Sequence, residues 1–188
     1  MTEILTKFMQ AFIPLFVAID PIGLVAIFLG LGQNVAPAQR QKIADQATWT
    51  GGLVALGFLF LGQNVFKAVG ISVSDFQIAG GLILFILAAK DLIQSAAEPE
   101  KLPEDFGVVP LGMPLIAGPA SITTLLVLAQ TQAIGLGVTL VALVVNLGIV
   151  VFALHYKISA TGLRAISKIV SMLLAAIAVN MIRRGWSS

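Results

Sequence analysis

Six stretches of this chain run for about 20 residues with almost no charge, the length an α-helix needs to cross the hydrocarbon core of a bilayer. They fall at roughly 5–31, 47–66, 75–96, 107–130, 134–156 and 166–184. Hydrocarbon offers no water to an unpaired backbone group, so runs of this length are expected as helices, each with its hydrogen bonds inside itself. Composition agrees: 58% of the 188 residues are hydrophobic, 11% are charged, and the mean hydropathy is +1.00. Soluble domains are roughly 45–50% apolar and about 25% charged. Too few polar side chains are present to cover a surface facing water, so the expected partner is the lipid bilayer. The expected fold is all-α: a polytopic membrane protein of six transmembrane helices. The first stretch reads as a span rather than a cleavable signal, because it is too long, holds Asp20-Pro21 in its middle and lacks a small-residue cleavage site.

Charge placement bears on orientation and partners. One set of connections carries Arg40, Lys42, Lys90, Lys101, Lys157, Arg164 and Lys168; the other carries Lys7, Lys67, Arg183 and Arg184. Seven against four, under the rule that cytoplasmic loops are enriched in Lys and Arg, predicts both termini outside. The net charge of +2 is scattered with no basic stripe, which argues against nucleic acid. With no cysteine, disulfides, thiolate zinc sites and Cys nucleophiles are excluded. Trp49, Tyr156 and Trp186 fall at span ends and read as interfacial anchors.

The halves resemble each other. Ile19-Asp20-Pro21-Ile22-Gly23 in the first span matches Ala117-Gly118-Pro119-Ala120-Ser121 in the fourth, and Gly81-Leu82-Ile83-Leu84 in the third matches Ser171-Met172-Leu173-Leu174 in the sixth. The polar stretch 97–106, with two prolines and four acids, separates repeats at 1–97 and 98–188. Three spans per repeat is an odd number, so the second repeat is expected upside down relative to the first, a habit of secondary transporters.

The chemistry is expected at the matched prolines. A proline inside a helix removes a donor and clashes with the preceding turn. Aspartate followed by proline is also a helix-start pair, N-cap then first helical residue. Helices 1 and 4 are therefore expected to break near the midplane, at Asp20-Pro21 and Gly118-Pro119. Irregular backbone at that depth must be buried in protein or line a wet cavity. At the first break Asp20 offers negative charge to a cation, with Pro21 and Gly23 beside it. At the second, Gly118 and Pro119 bring no acid, and the N–H groups of Ala120, Ser121 and Ile122, with the hydroxyls of Ser121, Thr123 and Thr124, are expected to face an anion. The combination suits a zwitterion. The plainer reading is that Asp20 only caps a kinked helix and the prolines only shape packing; an ionisable group at membrane depth weighs toward function.

Other residues are weaker candidates. Asn146 and Asn180 line a path or hydrogen-bond between helices. Gly51, Gly52, Gly57, Gly62, Gly80 and Gly81 read as close-packing positions, with Gly80-Gly81 also able to permit rocking between the halves. His155, alone at a span end, reads as interfacial. No phosphate loop, His cluster or paired acid appears, so an intramembrane enzyme, an ATPase and a metal site are not expected.

Several motifs together are similar to the MarC family of inner-membrane proteins: Asp20-Pro21-Ile22-Gly23, Gly70-Ile71-Ser72, Ile78-Ala79-Gly80-Gly81, Val109-Pro110-Leu111, Pro114-Leu115-Ile116-Ala117-Gly118-Pro119 and Ala175-Ala176-Ile177-Ala178-Val179. The resemblance covers nearly the whole chain. It implies six spans and secondary transport of the LysE type, with neutral amino acids such as glycine and alanine as the substrate class. Two positions depart from the family pattern: Ala120 stands where many relatives have glycine, and Ser171 where glycine is common. The expectation is a secondary transporter without cofactor, coupled if at all to H+ or Na+, with a channel or a non-transporting scaffold as the alternative.

Overall fold

In the computed structural model, which describes residues 2–31, 35–93, 107–131, 134–155 and 163–187, every regular element is a helix and no described residue lies in a strand. Helices α1 (Thr2–Ile19) and α2 (Pro21–Leu31) are separated by Asp20 alone. Then come α3 (Pro37–Val69), α4 (Val73–Ile93), a kinked segment Gly107–Ile116, α5 (Pro119–Gln130), α6 (Gly135–His155) and α7 (Leu163–Trp186). The 97–106 boundary, Tyr156, Lys101 and Lys157 lie outside the described residues, as do the side chains of Lys90, Arg164, Lys168 and Ser171.

Glu3–Val25, Pro37–Val69 and Gly135–His155 are each long and apolar enough to cross a membrane, and the bent pair Gly107–Ile116 with Pro119–Gln130 makes a fourth candidate. At least three candidate membrane spans are thus present among the described residues.

Local chemistry explains most of the ends. α3 starts ten residues upstream of its apolar run, at Pro37, with Ala36 as an extended cap and proline in the first turn. Its first turns carry Gln39, Arg40, Gln41, Lys42 and Asp45, so hydropathy detects the span but misses this polar extension. Arg40 Nε donates to the Val35 carbonyl at 3.0 Å. α3 ends at Gly70, whose positive φ of 75° lets its N–H return to the Phe66 carbonyl at 2.9 Å. Two residues on, Ser72 and Asp75 start α4 with a reciprocal capping box: Asp75 N–H donates to Ser72 Oγ at 3.0 Å, and Ser72 N–H donates to Asp75 Oδ2 at 2.8 Å.

The fourth span departs from the expected pair of half-helices. Residues 107–116 are not a regular helix: Val109 (φ −132°, ψ 122°) and Met113 (φ −130°, ψ 131°) are extended. Each precedes a proline, Pro110 and Pro114, and the proline ring drives the residue before it out of the helical region. The segment meets α5 at a bend of 46°. Its irregular backbone is sheltered by the small-residue stripe of α3, where Ala44, Ala47, Gly51 and Ala55 are buried. A Cβ on Gly51 would meet Ile116 Cβ at 2.6 Å, and one on Gly112 would meet the Ala47 carbonyl at 3.2 Å.

The remaining packing sets the frame of the site. α4 lies antiparallel on α7, with Gly81 against Ala178 and Ile182, and Gly185 against Ser74 and Ile78. α1 packs on α6, α2 on α7, α3 on α6 and α5 on α4. Phe58, Phe66 and Phe76 form a ring cluster at centroid distances of 5.0–5.9 Å over Ile122 and Leu126, tying α3 and α4 to α5. His155 Nε2 sits 3.2 Å from Asp45 Oδ1, pinning the end of α6 to the polar extension of α3. Trp49 and Trp186 are exposed.

Gly57 faces open space and is not a close-packing position, unlike Gly51, Gly62, Gly80 and Gly81. Gly80 is the tightest of these, because the Pro119 ring occupies the place a Cβ would take. Gly80→Ala is therefore expected to lower the melting temperature in detergent by an amount equivalent to ~1–3 kcal/mol of overpacking, while Gly57→Ala leaves it unchanged or raised. Equal melting of the two variants would show that the α4–α5 contact is not a constraint.

Candidate functional site

The two proline breaks close in complementary ways. Asp20 ends α1 and starts α2. Its N–H donates to the Phe16 carbonyl at 3.0 Å, completing the last turn of α1, and its φ of 49° then turns the chain. That left-handed conformation is disfavoured for most side chains but open to Asp, whose short carboxylate bonds locally. Oδ1 accepts the Gly23 N–H at 3.1 Å, and the Asp20 carbonyl accepts the Leu24 N–H at 2.9 Å. The carboxylate folds over Gly23 so closely that any side chain there would strike it. Pro21, in the first turn, lacks the N–H that would otherwise need a partner.

At the second break the roles are exchanged. Gly118 is extended (φ −97°, ψ 171°) and brings no cap of its own. Ser121, three residues on, supplies one: its Oγ accepts the Gly118 N–H at 2.9 Å and lies 2.8 Å from the Ile116 carbonyl and 2.9 Å from that of Gly118, to which it donates. The Ile122 N–H is taken by the Gly118 carbonyl at 2.9 Å. In the first break the cap residue carries the polar group and the third helical residue is glycine; in the second the cap is glycine and the third residue carries it.

Both breaks face one cavity of about 410 Å³. Asp20 lines it from the first break, Gly118 and Ala120 from the second, with Thr123 and Thr124 one turn further along α5 and Asn180 on α7. Its apolar wall includes Ile13 and Val17 of α1, Leu24 and Ile27 of α2, Leu84 of α4 and Ile177 of α7. The volume lies in the lower part of the ~300–1,000 Å³ range of small-molecule pockets.

Five of the candidate residues do not line this cavity. Pro21 and Gly23 shape the first break from behind. Pro119 is pressed on Gly80. Ser121, 1% exposed, spends its hydroxyl on the cap. Asn146 is fully buried between helices, with Nδ2 donating to the Ala142 carbonyl at 2.9 Å and lying 3.4 Å from that of Phe12 on α1. Its place is a helix–helix link rather than a path wall. The expected row of open N–H donors is also shorter than three, since Ile122's is bonded.

Gln77 and Arg184 line the cavity and were not singled out from the sequence. Arg184 follows Asn180 by four residues, which puts both on one helix face, and this spacing is the signal that points to it. Gln77 Nε2 reaches Thr123 Oγ1 over a long 3.4 Å, joining α4 to α5 at the cavity edge.

Residues 5–188 match the family model described as MarC family integral membrane protein. The chain belongs to the MarC family. Similar MarC-type proteins include the UPF0056 membrane protein of Pyrococcus abyssi (29% identical, covering 98% of this chain and 96% of the relative), YvbG of Bacillus subtilis (31%, 94% and 92%) and the inner membrane protein YhgN of Escherichia coli (27%, 96% and 96%). No solved structure matches.

In this MarC chain the structural and electrostatic parts of Asp20 can be separated. Asn caps a helix as well as Asp and tolerates the left-handed conformation, whereas Ala does neither. Asp20→Ala is expected to lower the detergent melting temperature by the equivalent of ~0.5–2 kcal/mol, and Asp20→Asn to melt as wild type does. If both variants melt equally low, the negative charge itself holds the fold.

Proposed function

We propose that this chain is a secondary transporter that carries a small neutral amino acid, or a zwitterion of like size, across the inner membrane by alternating access. The observation that carries this reading is that two interrupted helices, each broken at a proline, wall the same cavity, and that one of them presents a carboxylate to it. Discontinuous helices meeting at a solute-sized cavity are the usual architecture of transporter sites. Asp20 meets the ammonium group or a coupling cation, H+ or Na+. The chemistry asks for no cofactor, and no catalytic group is assigned to the cavity.

Packing supports the inverted three-helix repeats and, with them, six crossings. Exchanging the halves exchanges the contacts. α1 on α6 becomes the kinked segment on α3, α2 on α7 becomes α5 on α4, and α4 on α7 maps to itself. The two breaks correspond in the same exchange, since Leu24 N–H to the Asp20 carbonyl and Ile122 N–H to the Gly118 carbonyl are both 2.9 Å bonds 98 positions apart. Rocking one half on the other would open the cavity to alternate sides. The Lys and Arg balance favours both termini outside.

Counterflow in proteoliposomes with a panel of labelled neutral amino acids tests the reading. Saturable exchange of at least one small neutral amino acid is expected, with Asp20→Asn, folded by the criterion above, reducing it at least tenfold. Currents without saturation would instead identify a channel, and neither flux nor solute binding would identify a scaffold. Either outcome sinks the transporter reading.

A further inference from the structure

The cavity has an acceptor side and a donor side. Thr124 Oγ1 lies 2.7 Å from the Ala120 carbonyl, and Thr123 Oγ1 3.1 Å from the same oxygen. A carbonyl only accepts, so both hydroxyls spend their protons there and are left with lone pairs. Asp20, ionised, is acceptor-only. These three groups suit an ammonium. The N-terminus of α5 offers a carboxylate no charge and fewer donors than expected: the Gly118 and Ile122 N–H groups are already bonded and Pro119 has none, which leaves those of Ala120 and Ser121.

Donors gather instead on α7. Arg184 lines the cavity and carries a full positive charge in a forked geometry suited to carboxylates. Asn180, on the same helix face and also lining the cavity, has its Oδ1 held by Arg183 Nη2 at 3.1 Å. A guanidinium only donates, so this bond takes up Oδ1 and leaves Nδ2 as the amide's donor.

We infer that Arg184, assisted by the Asn180 amide, is the carboxylate-binding end of the cavity, so that an α-amino acid binds with its ammonium toward Asp20 and the α5 threonines and its carboxylate toward the end of α7. This rests on the transport reading and goes beyond it by assigning the solute's polarity and a specificity residue. It requires that an amino acid be preferred over an analogue that keeps the ammonium but has lost the carboxylate.

The test is counterflow by the full chain in proteoliposomes with labelled alanine and labelled alaninamide, after the panel has shown exchange; if the panel favours another neutral amino acid, that acid and its amide are used. Wild type is expected to prefer the acid at least tenfold, about the effect of one charge-assisted hydrogen bond. In Arg184→Gln the KM for the acid should rise at least tenfold while uptake of the amide stays within about twofold, so that the preference collapses; Arg184→Lys should keep part of it. A residue that only stabilises the end of α7 would change acid and amide together. Monodisperse elution in detergent checks folding. If Arg184→Gln does not fold, Asn180→Leu carries the same comparison, with a smaller loss of preference expected. Wild-type preference retained in these folded variants overturns the assignment of Arg184 and Asn180 while transport stands. A wild type that exchanges no neutral amino acid removes the transport reading, and this one with it.

Discussion

A proline in a membrane-embedded helix leaves backbone groups that lipid cannot satisfy, and the organisation of this chain follows from answering that problem twice. An unpaired amide in a medium without hydrogen bonds costs several kcal/mol, on the order of the stability of a whole small domain. At Asp20 the answer is covalently local: one residue closes α1, turns the chain and caps α2. At Gly118 it comes from Ser121, and upstream from burial, with the extended residues of the 107–116 segment packed on the small-residue stripe of α3. Gly80 then allows α4 to close over Pro119, so that the broken backbone is walled by protein on one side and by the cavity on the other.

The reciprocal caps also determine where charge resides. Each break needs one polar side chain to hold its helix start, and only the first uses an ionisable one. The result is a single carboxylate at the junction of α1 and α2 facing a neutral, acceptor-rich turn of α5. A symmetric pair of acids would repel each other in a weakly screened interior. An asymmetric pair avoids that repulsion.

Much of this was legible from residue order. Asp20-Pro21 and Gly118-Pro119 announced breaks because proline acts on its own turn and the preceding residue, whatever surrounds them. The same rule, applied to Val109-Pro110 and Met113-Pro114, would have foretold the kinked segment that was instead expected as part of a helix. Hydropathy located the α3 span but not its polar start at Pro37, because a solvent-facing helical turn has no apolar signature. Ser121 was misplaced for a different reason: a hydroxyl at the third helical position can face a ligand or bond back to its own cap, and a glycine cap leaves its backbone N–H in need of that hydroxyl.

The order of amino acids by itself determined the solvent, the helical class, the family and the positions of the breaks, since these follow from transfer free energy and from constraints that reach only a few residues along the chain. Tertiary structure alone decided that the breaks share a cavity, that Asn146 links α1 to α6, and that Asn180 and Arg184 join the cavity wall. Those facts depend on how α4 seats against α7 and α5, and helix packing of that kind is set by side-chain shape across elements far apart in the chain.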